Sequence, residues 1–142
     1  MGMSLSWCKI ISYFMKLDFI ENLSDSGKFK QVVSENIVRL YDFDETQTAK
    51  LINLIKVLVT NGLDIEITKY VKSVNCKLIL KLSSIDNGVL KTSEASTFIC
   101  ELTTASYLEA IDLMINVSTG YNWLCKTSKD NIDFLYSADG NW

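Results

Sequence analysis

Two groups of carboxylates hold most of what this chain could do chemically. Asp42, Asp44 and Glu45 stand beside Tyr41 and Phe43, and Asp130, Asp133 and Asp139 share the C-terminal run with Tyr121, Trp123, Phe134, Tyr136 and Trp142. Clustered acids can ligate a divalent ion, share a proton as a general acid and base, or meet a cationic partner. The first use needs several oxygens held together, and no loop here has a D-x-D-x-D-G spacing. For Asp44 and Glu45 a helix start gives a sufficient structural reason, because acids there cap amide groups and complement the helix dipole. Proton exchange needs two environments that drive the pKa values apart. The third use asks least: exposed carboxylates set orientation and association rate while aromatic rings supply affinity. On that reading Asp130, Asp133, Tyr136, Asp139 and Trp142, joined by Asp42, Asp44 and Glu45, form a partner-binding set.

The residues that are missing point the same way. The chain has no histidine and no proline. Without imidazole there is no Ser-His-Asp triad, no Cys-His pair and no histidine-ligated zinc. Cys8, Cys76, Cys100 and Cys125 lack a C-x-x-C spacing and each sits in an apolar segment, so they read as buried thiols. No glycine-rich phosphate loop or nucleophile elbow occurs. No catalytic residue, cofactor or metal is expected. A carboxylate-using enzyme or ligand-binding domain with Tyr41, Tyr107 or Tyr136 in a pocket is the alternative.

Charge is unevenly spread within a net of −3. Residues 69–93 carry Lys69, Lys72, Lys77, Lys81 and Lys91 against Asp86, a net of +4; residues 94–142 carry Glu94, Glu101, Glu109, Asp112, Asp130, Asp133 and Asp139 against Lys126 and Lys129, a net of −5. An acidic half argues against a nucleic-acid partner. Arg39 is the one arginine among 14 basic residues. Its planar fork can hold a carboxylate bidentately, or it can be a surface arginine.

At 142 residues and 48% apolar content, the chain suits a single globular domain, 1–142. The apolar run from Ile10 to Leu17 is closed by Lys16 and Asp18 too early for a signal peptide or a span, and Lys56 interrupts the run from Leu51 to Val59. A cytoplasmic protein without a membrane anchor is expected. Residues 7–17 fit strand or helix, and so do residues 29–43. Asp44 and Gln47 form a capping box ahead of the stripe Leu51, Leu54, Ile55, Leu58, and Asn61-Gly62 ends it, which predicts a helix over about 45–60. Alternation predicts strands at Leu63 to Thr68 and Asn75 to Ser83, with a hairpin turn at Asp86-Asn87-Gly88 and a return over Val89 to Leu102. A second helix over about 105–117 would turn Leu108, Ile111 and Ile115 inward and Glu109, Asp112 and Asn116 outward. Strands at Tyr121 to Lys126 and Ile132 to Tyr136 close the chain. The expected class is α+β: an antiparallel or mixed sheet of about five strands with two or three helices on one face.

The segments Tyr121-Asn122-Trp123-Leu124-Cys125 and Ile132-Asp133-Phe134-Leu135-Tyr136-Ser137-Ala138-Asp139-Gly140-Asn141-Trp142 resemble the ending of small bacterial immunity proteins of contact-dependent and polymorphic toxin systems. The likeness covers about the last quarter of the chain. It implies a small cytoplasmic α/β protein that binds a cognate toxin domain, such as a nuclease, and blocks it with acidic residues.

Overall fold

Short runs of alternating apolar and polar residues build most of the chain into strands. The computed structural model describes residues 15–21, 36–117, 120–125 and 128–140. In chain order the described elements are β1 (Lys16–Glu21), β2 (Asn36–Tyr41), α1 (Glu45–Asn61), β3 (Ile65–Glu66), a 3₁₀ turn (Ile67–Lys69), β4 (Lys72–Ser73), β5 (Lys77–Leu82), β6 (Gly88–Lys91), β7 (Thr97–Leu102), α2 (Thr104–Ile115), β8 (Tyr121–Cys125) and β9 (Ile132–Ser137). A five-stranded sheet has the order β4-β1-β2-β9-β8, and a four-stranded sheet the order β3-β5-β7-β6. Both are mixed: β2 runs parallel to β9 and β5 parallel to β7, while β1 with β2, β8 with β9 and β6 with β7 are antiparallel. The α+β class holds, with a second sheet beside the expected five-stranded one. Of the two segments open to either reading, the described part of 29–43 resolves as β2, and residues 7–14 and 29–35 lie outside the described residues.

Helix α1 begins and ends where its caps dictate. Asp44 accepts from the Gln47 amide at 2.9 Å while the Gln47 side chain accepts from the Asp44 amide at 3.1 Å. Gly62, at φ 68°, closes the helix with its amide on the Leu58 carbonyl at 2.8 Å. Leu51, Ile52, Ile55 and Leu58 are buried beneath it. At α2, Thr103 caps the Ser106 amide at 3.2 Å, and the Asp86 carboxylate accepts from the Thr103 amide at 2.7 Å and from the Ser106 hydroxyl at 2.6 Å.

Two expectations need correction. The turn at Asp86-Asn87-Gly88 joins no neighbouring strands, because β7 lies between β5 and β6. Phe98, Cys100 and Leu102 bury with the same period as Leu78 and Leu80, so β7 makes the better central neighbour for β5, whereas β6 is a short edge. Helix α2 is turned as well: Tyr107, Ala110, Ile111 and Met114 face inward, and Leu108 and Ile115 are exposed. Tyr107 settles that rotation by donating its hydroxyl to the Lys81 and Cys100 carbonyls at 2.7 and 3.0 Å.

One apolar cluster draws on both sheets and both helices, with Leu17, Val38, Leu58, Leu78, Val89, Met114 and Ile132 wholly buried. Each such side chain contributes roughly 1.5–3 kcal/mol relative to exposure. Phe19 and Phe98 bridge the sheets with ring centroids 4.5 Å apart. The edge strand β6 is tied to the approach to β9 as well: the Ser128 hydroxyl donates to the Val89 carbonyl at 2.9 Å, and the Asp130 carboxylate accepts from the Lys91 amide at 2.8 Å. Among the described residues no helix is long and apolar enough to cross a membrane.

Candidate functional site on the far face of the five-stranded sheet

Register and alternation sort the side chains of β1, β2, β8 and β9 onto two faces. Leu17, Val38, Leu40, Phe134 and Tyr136 look into the core. The far face carries Asp18 opposite Arg39, Arg39 beside Leu135, Ile37 beside Asp133, and Trp123 and Tyr121 beside Leu135 and Ser137. Ile37 and Leu135 have no exposed area, although neither belongs to the main cluster. The centre of this face is therefore enclosed, and its accessible part runs along β8, the edge strand, and at the two ends of β9.

Arg39 organises the centre. Its Nε and Nη2 donate to the two oxygens of the buried Asp18 carboxylate at 2.9 and 2.6 Å, Nη1 donates to the Gly140 carbonyl at 2.8 Å, and the guanidinium lies 3.9 Å from the Tyr41 ring centroid. This is the bidentate and stacked geometry that arginine supports and lysine does not. The bond to Asp18 is the main cause that raises the arginine's pKa further. Gly140 sits at φ 87°, where a Cβ would come 2.9 Å from Arg39 Nη1 and 3.3 Å from Tyr41 Cδ2. Beside this group Lys16 pairs with Asp42 at 2.9 Å, and burial, followed by the charge of Asp18, pushes the Tyr41 hydroxyl up. The lone arginine was visible in the sequence. Its partner, 21 positions earlier, is set by strand register, which a single sequence does not reveal.

The eight partner-binding residues read from the sequence do not form one patch. Asp42, Asp44, Glu45 and Asp139 gather where β2 and β9 end, with the Asp42 amide on the Ala138 carbonyl at 3.1 Å. Asp130 and Asp133 lie at the other end of β9, roughly 17 Å away at about 3.3 Å per residue. Asp133 is half-buried on the far face, consistent with its expected direction away from the core. Asp130 is engaged with the Lys91 amide. Tyr136 is a core residue, with no exposed area, its hydroxyl 2.6 Å from Thr48 Oγ1 and its ring stacked on Phe43 at 4.1 Å. Five alternating positions along β9 put Tyr136 on the same face as Ile132 and Phe134, and that parity overrides its place in an aromatic-rich ending. Trp142 lies outside the described residues. Tyr121 and Trp123 take its place as accessible aromatics: Tyr121 is 45% exposed, Trp123 is half-buried, and their rings meet edge to face at 6.2 Å.

The buried hydroxyls and thiols are held in protonated, structural roles. Burial drives the Tyr107, Tyr136 and Cys100 pKa values upward, and burial, then the charge of Asp18, pushes the Cys76 thiol up to about 12. Thiols in such settings are poor nucleophiles. No group of three or more potential metal-ligating side chains occurs among the described residues. Comparison with protein-family models and with curated proteins gives no match for this chain.

Proposed function

We propose that this is a non-enzymatic immunity protein that docks on a cognate bacterial toxin domain and neutralises it, using the accessible border of the far face. The observation that carries the reading is the Tyr121–Trp123 pair on edge strand β8, flanked by Asp133 at one end of β9 and by Asp42, Asp44, Glu45 and Asp139 at the other. Aromatic anchors on an edge strand give contact area at low entropic cost, and acids at both ends suit a basic partner such as a nuclease. The clamp of Arg39 on Asp18, Tyr41 and Gly140 makes the platform rigid before binding, which lowers the ordering cost of association.

Co-expression with the product of an adjoining toxin gene is the test. A stable complex that restores growth supports the reading, and Trp123→Ala should weaken that complex about 30-fold, equivalent to about 2 kcal/mol. A toxin that neither binds nor loses toxicity contradicts it.

A further inference from the structure

Helix α2 presents aliphatic side chains to water on the side away from the core. Leu108 is 48% and Ile115 60% exposed, while Tyr107, Ile111 and Met114 provide the helix with its inner face. The exposed residues Ala105, Leu108, Asp112 and Ile115 follow one another at i, i+3, i+7 and i+10, the spacing of a coiled-coil seam. Asp112 occupies the middle of that seam and Glu109 its flank. Neither has an ion-pair partner among the described residues, and α2 contains no lysine or arginine.

We propose that this face of α2 docks an amphipathic helix of another protein, one that carries aliphatic residues at its own seam and a lysine or arginine level with Asp112. Charge decides among the possible occupants. A wholly apolar helix would bury the Asp112 carboxylate beside Leu108 and Ile115 with no counter-charge, which is unfavourable. A second copy of α2 offers no cation in either orientation. A basic residue at that level converts the carboxylate from an obstacle into the element that fixes register, as polar residues do within coiled-coil seams. The helix is about 18 Å long, so it accommodates roughly three turns of a partner. This surface lies on a different element from the aromatic pair of β8 and stands apart from the toxin-docking reading.

Two designed three-heptad peptides make the probe, identical except for lysine or glutamate at the central a position, with leucine at the remaining seam positions. By fluorescence anisotropy the lysine peptide should bind the full chain at least tenfold more tightly than the glutamate peptide. Asp112→Lys should reverse that order, and Leu108→Ser with Ile115→Ser should abolish binding while leaving the circular-dichroism melt unchanged. Equal binding of the two peptides, or none by either, overturns the proposal. So does a concentration-dependent dimer in light scattering that Leu108→Ser abolishes, since that makes the face a self-interface. The toxin plays no part in this assay, so failure to capture a toxin leaves its outcome unaltered.

Discussion

On the core face of the five-stranded sheet, Leu40 of β2 meets Leu17 and Tyr136; one residue earlier, on the far face, Arg39 meets Asp18 and Leu135. The first environment is held mainly by contact area, which is non-directional and fails in proportion to volume removed. The second depends on directional bonds from one guanidinium to a carboxylate, a carbonyl and a ring face, so it fails when geometry or charge changes even at constant volume. Adjacent residues of one strand thus answer to different physics.

The largest expected loss is on the core side. Leu40→Ala should lower unfolding free energy by about 3 kcal/mol in urea denaturation, the usual cost of a cavity at a wholly buried leucine. Arg39→Met conserves bulk while stranding the Asp18 carboxylate, and should cost about 2–3 kcal/mol. Arg39→Lys should recover less than half of that deficit. Full recovery by lysine would erase the contrast between the faces, because it would reduce Arg39 to a point charge.

The core face has one polar link of its own, between Tyr136 and Thr48. Tyr136→Phe should cost about 1–2 kcal/mol by leaving the Thr48 hydroxyl unpaired, and adding Thr48→Val should restore much of the loss. Additive losses in the double variant would show that the hydroxyl pair matters less than packing around it.

The smallest effect belongs to an exposed carboxylate. The Ser106 hydroxyl, then the Thr103 amide, hold Asp86 below the ordinary carboxylate pKa. A lowered folded value means that this stability is present above the unfolded pKa, ~3.9, and is lost as pH falls through the folded value. Asp86→Ala should therefore cost about 1 kcal/mol at pH 7 and close to nothing once both forms are protonated. Melting curves from pH 7 to 2.5 report the convergence; a deficit independent of pH would assign the effect to packing.

Local chemistry made some of this molecule legible from sequence. Asp44, Gln47 and Gly62 delimit α1 because caps act over three or four residues, and alternation in Leu78, Leu80, Phe98 and Cys100 marks β5 and β7 for the same reason. What the sequence withheld was pairing. Asn87-Gly88 has the composition of a hairpin turn, yet burial gave β5 a different neighbour. In α2 two apolar stripes compete, and the choice falls to the Tyr107 hydroxyl reaching carbonyls of β5 and β7. The candidate site was legible as residue types and illegible as a patch: Tyr136 follows the parity of β9 into the core, and the acids divide between its two ends.

Isothermal titration of the neighbouring toxin domain against the wild type, Asp133→Lys and Asp139→Lys tests the docking surface most directly. The account predicts at least tenfold weaker binding for each variant, with thermal melts unchanged. Affinities equal to the wild type in both would contradict it.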